Sequence, residues 1–283
     1  MENKLSFVQF IHPGSEHIPD KGRFKGWNKG PQKQVFLKQA GRYLLPDQNT
    51  TAEGELLFWA NWEPDAEVKQ QFAKPLPGSP STIYSPHYAL PNTYQGFQAT
   101  DPFIFGHQFH YLANQQAVKT GLTPMRYLER GSVILFGSCR NKRFILDTVF
   151  VTNHWISHNK RNYKEVLRRK ISTTFAKTAL LPFYQNDSGA DLRLYCGATF
   201  DKPLHGMYSF FPCALSGEKP MGFARPTIKI RDVINDNLLQ GRKMNPQTSL
   251  DAVKSLWDEV VKQVTDQGLK LGVFAALPKP RKA

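Results

Sequence analysis

Acidic residues are scarce in this chain of 283 residues: 23 Asp and Glu stand against 37 Lys and Arg, a net charge of +14. Cysteine is scarcer still. Cys139, Cys196 and Cys213 are odd in number and widely spaced, which argues against a disulfide framework or a zinc site and suits reduced intracellular thiols. No apolar run approaches the roughly 18 residues of a membrane span, and the opening MENKLSFVQFIHPG has no long apolar stretch of the signal-peptide kind. The chain is therefore expected in the cytoplasm, away from membranes. Also missing are GxxxxGK[ST], a GxGxxG after a strand, GxSxG, HxE with a following PCxxC, and spaced nuclease carboxylates with a following Lys. Those absences argue against P-loop NTPases, Rossmann dinucleotide enzymes, nucleophile-elbow hydrolases and zinc deaminases. Any chemistry is left to scattered carboxylates and histidines, with no metal and no cofactor.

What is present is 20 Gly, 20 Pro, 12% aromatic residues and many short apolar runs. These favour an α+β fold, a mixed β-rich sheet or partly closed barrel with flanking helices, in one domain over residues 1–283. The positive charge is segregated. Lys21, Arg23, Lys25, Lys29, Lys33, Lys38 and Arg42 form one cluster without an acid. Lys160, Arg161, Lys164, Arg168, Arg169, Lys170 and Lys177 form a second against Glu165 alone, and the tail adds Lys279, Arg281 and Lys282. Solubility would be served by mixed charge; segregated patches fit a polyanion, and nucleic acid first.

The stretch Gly131 to Val151 reads as a hairpin, with apolar runs Ser132 to Gly137 and Arg143 to Val151 around a polar turn. Strict alternation in the second run puts Asp147 on one face with Ile145, Val149 and Val151, where a carboxylate is costly unless paired. Residues 5–11 read as a strand ending at His12-Pro13-Gly14-Ser15-Glu16-His17, which delivers two imidazoles and a carboxylate to a strand end. Residues 20–34 are a basic, Gly-rich loop around Trp27, and residues 33–45 fit a short helix. Residues 54–64 read as a strand with Leu57, Trp59 and Asn61 on one face and Leu56, Phe58, Ala60 and Trp62 on the other, Glu63 at its exit. Residues 74–99 read as a long irregular loop. Asp101 sits in an Asp-Pro turn, and His107 and His110 have HxxH spacing.

Farther on, residues 160–179 fit an amphipathic helix with Tyr163, Leu167, Ile171 and Phe175 as its core stripe. Arg161, Lys164 and Arg168 are its exposed cations. Residues 191–213 read as two strands and 223–231 as another. A helix follows over 250–267, with Thr248 and Asp251 spaced as a capping box, and then a last strand, LKLGVFA.

Within Leu128 to Val151, the residues Gly131, Val133, Ile134, Leu135, Phe136 and then Phe144 to Val151 resemble the core of PUA-like domains of the EVE and ASCH kind. Ser132 stands where those families usually have an acid. The resemblance implies a small β-barrel core, around residues 100–160, that holds a flipped, often modified, base in an aromatic cage. Trp59, Trp62 and Trp155 are the candidate walls.

These features lead to an expectation: a DNA-binding protein that flips a nucleobase, modified in the leading case, into an aromatic pocket and excises it as a DNA glycosylase does. Asp147, Glu63, Asp101 and Glu16 are the candidate catalytic carboxylates. Asn61 is the base reader, with His12 and His17 as polar assistants. Lys25, Lys29, Lys33, Arg161, Lys164 and Arg168 are the candidate phosphate contacts. Two alternatives remain at this point, a non-catalytic reader of modified DNA or RNA and an RNA-processing or RNA-modifying protein. Anti-phage defence is the setting that the modified-base idea suggests.

Overall fold

A computed structural model describes residues 2–12, 14–19, 22–186 and 189–281. Pro13 of the expected turn, Lys21 of the first basic cluster and Lys282 of the tail lie outside the described residues. The strands begin with β1 (Ser6–Ile11), β2 (Phe24–Lys25), β3 (Gln34–Leu44), β4 (Thr51–Asn61), β5 (Ala66–Gln71), β6 (Thr82–Tyr88), β7 (His110–Tyr111), β8 (Ala117–Val118) and β9 (Gly121–Leu122). They continue with β10 (Val133–Cys139), β11 (Phe144–His158), β12 (Leu192–Gly197), β13 (Phe211–Leu215), β14 (Gly241–Pro246), β15 (Lys270–Ala275) and β16 (Lys279–Pro280). The α-helices are α1 (Tyr163–Val166), α2 (Thr173–Phe175), α3 (Leu181–Asn186) and α4 (Leu250–Asp266), with a π-helical turn at Ala176–Leu180.

One sheet runs β14-β1-β10-β11-β12-β7, with β1 and β10 parallel. A second runs β15-β13-β4-β3-β6-β5-β2 with β16 beside β6, and β15 also pairs with β3, which closes β3, β4, β13 and β15 into a ring; β8 and β9 form a small hairpin of their own. The sheets meet where Val149 and Phe210 exchange backbone hydrogen bonds. The fold is α+β and rich in strand.

The central strands of both sheets are buried on both faces, and the alternation of side chains sorts them into two cores. On β4, Leu56, Phe58, Ala60 and the following Trp62 enter the first core, while Leu57 and Trp59 enter the second. The first core is covered by Leu167, Phe175, Ala179, Leu180 and Tyr184 of the short helical segments. The second is covered by Val253, Trp257, Val260, Val261 and Val264 of α4. The N-cap of α4 is Ser249, whose Oγ accepts from Ala252 N at 3.2 Å, so the expected Thr248 capping box does not form.

Several other elements differ from their sequence reading. Residues 33–45 are not a helix. The consecutive apolar residues Val35, Phe36 and Leu37 point to two cores at once, and β3 pairs with β4 from Gln34–Asn61 to Leu44–Thr51. Cross-strand pairing there outweighs helix propensity. The expected helix over 160–179 is broken: Arg169 takes a left-handed φ of 67°, and Ser172 starts a new turn by accepting from Phe175 N at 3.0 Å. Strand β6 lies inside the expected loop 74–99. Residues 223–231 make one bridge, Thr227 to Ile145, whereas 241–246, with no clear strand signal, pairs along β1. The two strands read in 191–213 exist but belong to different sheets.

The hairpin β10–β11 forms as expected, with one break in its alternation. Phe136 pairs with Thr148 and Gly137 with Leu146, so Asp147 is the extra residue of a β-bulge. The faces exchange there: Phe144 and Leu146 join Val149 and Val151 in the second core, while Phe150 enters the first. Asp147 therefore does not share a regular strand face with Ile145, Val149 and Val151. Opposite the bulge, a Cβ on Gly137 would lie 2.2 Å from the Ile145 carbonyl oxygen and 2.7 Å from the Phe144 ring. Gly137→Ala is expected to destabilise the fold by about 1–3 kcal/mol, the usual penalty of overpacking, measured by urea unfolding.

Candidate functional site

Beyond the end of β1 lies a cleft of about 780 Å³. Its polar lining is mostly side-chain amide, from Gln32, Gln98, Asn114, Gln115 and Gln240; Phe97 and Phe183 supply rings, and Asp101 supplies a carboxylate. Asp101 organises this lining. Its Oδ1 accepts from Leu112 N at 2.8 Å, and its Oδ2 accepts from Ala113 N at 2.9 Å and Asn114 N at 2.8 Å. Burial pushes Asp101 up to about 6, with those three bonds opposing. Asn114 Nδ2 in turn donates to His12 Nε2 at 3.2 Å and to Gln32 Oε1 at 3.3 Å. Burial depresses His12 to about 3, so its ring is a neutral acceptor at physiological pH. Gln115 takes a left-handed φ of 60°, and its Oε1 accepts from Arg242 Nη1 at 3.0 Å. The ammonium of Lys29 lies 5.0 Å from the centroid of Phe97.

Two further predicted residues stand behind the cleft. Asn61 Nδ2 donates to the Asp101 carbonyl at 3.4 Å. Glu63 is fully buried, accepts from Asn28 Nδ2 at 2.6 Å, and is linked to the neighbouring turn through its N–H to Thr100 Oγ1 at 3.3 Å. Burial raises Glu63 to about 7, opposed by the charge of Lys25 and the Asn28 bond. Asn61 Oδ1 and Glu63 Oε1 are buried without a hydrogen-bond partner among the described residues. Lys25 is a correction: it is 0% exposed, and its Nζ donates to the carbonyls of Gly26, Glu63 and Pro64 at 3.0, 3.1 and 2.8 Å. A buried ammonium so engaged is no phosphate contact.

The other predicted carboxylates gather around a residue that the sequence did not single out, Arg225. Its Nη1 lies 3.4 and 3.5 Å from the Asp147 oxygens and 3.1 Å from Ser138 Oγ; its Nη2 donates to the Gly14 carbonyl at 2.8 Å. The guanidinium lies 4.9 Å from the Trp59 ring centroid. Asp147 is raised to about 6 by burial, with Arg225 opposing. Glu16 accepts from Ser81 N and Oγ and from Thr82 N at 2.7, 3.0 and 3.2 Å. Burial raises its pKa as well, against those bonds and the Arg225 charge.

The expected tryptophan slot does not form. Trp59 and Trp62 lie on opposite faces of β4, in different cores, 4% and 0% exposed. Trp59 Nε1 donates to the Phe223 carbonyl and Trp62 Nε1 to the Asp65 carbonyl, both at 2.9 Å. Trp155 stands apart on the far half of β11 with the Arg193 guanidinium 4.3 Å over its ring. His17 is buried along β3, its N–H on the Gln34 carbonyl. His107 is exposed and His110 is buried on β7, so the HxxH pair does not converge. Among the described residues no cluster of His, Cys, Asp and Glu could hold a metal, and no helix is long and apolar enough to cross a membrane. Of the expected cations, Lys33 is half-buried and Arg161, Lys164 and Arg168 are exposed. The α1 segment is linked to the cleft only through a chain of rings: Tyr163 stacks on Tyr184 at 4.3 Å, and Tyr184 contacts Phe183 of the lining.

No family model, curated protein or solved structure matches the chain.

Asp101 thus lines one cleft, with His12, Asn61 and Glu63 in the layer behind it, and Asp147, Glu16 and Trp59 surround Arg225. The amides were missed because they come from separate loops with no shared period; the run Asn114-Gln115-Gln116 after an apolar segment was the one local signal. Trp62→Ala is expected to cost about 3–5 kcal/mol of stability and to leave ligand affinity of the folded fraction unchanged, measured by denaturation and binding side by side. Glu63 has a raised folded pKa, so its stability contribution is present below its ordinary value of 4.5 and is lost as pH rises through about 7. Glu63→Gln should therefore gain stability relative to the parent between about pH 5 and pH 8, on the order of 1–3 kcal/mol; a difference that does not vary with pH would refute this.

Proposed function

We propose that the protein binds nucleic acid, DNA in preference to RNA, and receives an extruded nucleobase in the amide-lined cleft beside Asp101. The observation that carries this reading is the cleft's lining in a chain of net charge +14. Amide side chains offer donors and acceptors to a base edge, ring faces offer stacking, and a strong positive field suits the phosphates of a strand. Lys29 at the Phe97 rim, and the exposed Arg161, Lys164 and Arg168 of the segment whose Tyr163 stacks on Tyr184, are the cations offered for flanking phosphates. The resemblance of residues 128–151 to PUA-like domains points to the same class of ligand, a modified base included, and with it to a role in defence against phage DNA.

Asp101 lines the cleft and, with a pKa near 6, is ionised at neutral pH. A carboxylate at that place would steady the positive charge that develops on the sugar as the C1′–N bond breaks. The base would leave with the bonding electron pair and take up a proton, while water would bond to C1′ and lose one. This is the hydrolase reading. The reader reading draws on a specific observation too: both Asp101 oxygens already serve backbone N–H groups.

The deciding experiment incubates the protein with unmodified, methylated and glucosylated DNA and probes each for abasic sites with an aldehyde-reactive label. Abasic sites that appear with wild type and fall at least about 100-fold with Asp101→Asn, at retained binding, support excision. Binding without abasic sites supports the reader. Gln98→Ala, which removes a side chain with no hydrogen bond among the described residues, should weaken binding by about 1–3 kcal/mol; equal affinity of all DNAs for this variant and wild type would remove the cleft from the interface.

A further inference from the structure

A second cleft, of about 520 Å³, opens at the tip of the β10–β11 hairpin, and Arg140, Arg143 and Arg225 all line it. The Arg225 side chain is 4% exposed. It is held from behind by Ser138, Asp147 and the Gly14 carbonyl, with the Trp59 ring against it. A guanidinium has five N–H donors. Those partners occupy the Nη1 donors and one on Nη2, and the Nε–H and second Nη2–H have no partner among the described residues. Arg225 is thus a buried, oriented cation with donors left over at a cleft wall.

The rim adds to this. Arg140 and Arg143 face each other across a two-residue turn, each N–H on the other's carbonyl at 2.9 and 3.1 Å. Asn141 and Lys142 between them have φ of 51° and 55°, the left-handed pair of a type I′ turn. Lys is a poor occupant of that conformation, and like charges directly opposite on paired strands repel. Neither arginine has an acidic partner among the described residues, and both are exposed. Among the described residues Asp147 is the one carboxylate paired with any of the three guanidiniums, and Glu16 is the other that feels the Arg225 charge, so three arginines face two carboxylates and the cleft keeps a surplus of positive charge. An oxyanion seated among the guanidiniums would relieve the repulsion between them, while the backbone cost at Lys142 is borne with or without it.

We infer that the Arg140–Arg143–Arg225 cleft binds a phosphate group, and that this phosphate belongs to the nucleic-acid strand whose base enters the amide-lined cleft. The second half of the inference rests on the proposed function; the first half does not. The two clefts share one short segment. His12 accepts from Asn114 of the base cleft, and the carbonyl of Gly14, two residues on, holds Arg225, so one stretch of chain braces a wall of each cleft. Asp147, raised as a candidate catalyst, thereby becomes a positioning residue that orients Arg225 from behind.

The test uses the double variant Arg140→Ala/Arg143→Ala, whose exposed side chains take no part in the core, with Gln98→Ala as the base-cleft control. Inorganic phosphate and a fluorescent single-stranded oligonucleotide are titrated separately at constant ionic strength. Phosphate should raise the melting temperature of wild type and of Gln98→Ala, and the double variant should lose at least about 10-fold in phosphate affinity. Its oligonucleotide affinity should fall, with a salt slope flatter by about 0.7 for each strand phosphate that is no longer neutralised. Phosphate binding equal to wild type in the double variant overturns the site. Weakened phosphate binding with unchanged oligonucleotide affinity and slope keeps the site but overturns its assignment to a strand, in favour of free phosphate or a mononucleotide. If no variant and no wild type binds oligonucleotide, the proposed function fails while the phosphate result still stands or falls alone.

Discussion

The Asp101 carboxylate accepts hydrogen bonds from three consecutive backbone amides, Leu112, Ala113 and Asn114, and the cleft beside β1 depends on that clamp. A carboxylate removed from water must be answered by donors, and the donors that answer this one belong to the loop that leaves β7. Fixing the loop fixes Asn114, which reaches His12 and Gln32, and it holds Gln115 within reach of Arg242. One desolvated charge therefore sets the positions of amides drawn from two separate segments, Asn114 and Gln115 on one and Gln32 on the other. The same group keeps a pKa near 6, because its hydrogen bonds offset only part of the burial.

The requirement recurs elsewhere and explains why the predicted carboxylates fall into different roles. Asp147 sits in a bulge and meets Arg225; Glu16 is fastened to Ser81 and Thr82; Glu63 shares a buried niche with Asn28 and Lys25. Asp147 and Glu63 are buried and Glu16 is half-buried, and burial raises the pKa of each. Only Asp101 among them lines a cleft with polar groups suited to a planar heterocycle. The raised values report burial in the first place, and geometry separates a group that can meet a ligand from one that holds a neighbour.

Two cores on the two faces of the sheets account for most of the aromatic content. Trp59 and Trp62 are large, flat and close in sequence, features that suit a stacking slot, but residues three apart on a strand point to opposite sides. Each indole N–H finds a backbone carbonyl and each ring fills a core. The rings left at the cleft are Phe97 and Phe183, which come from a loop and a short helix.

By itself the sequence determined the strand-rich class, β1, the β4 alternation, the β10–β11 hairpin and the α4 stripe, because each rests on a local period of apolar residues that burial enforces. It also determined the segregation of positive charge. It did not determine that 34–44 is a strand, that 160–179 breaks at Arg169, or that Asp147 is the extra residue of a bulge. Those outcomes follow from cross-strand partners and from which faces are covered, and both are contacts between residues remote along the chain. The cleft was legible only through Asp101, Asn61, Glu63 and His12. Its amides and Arg225 carry no period and no motif, and they became a site only when the tertiary fold brought their loops to the end of β1.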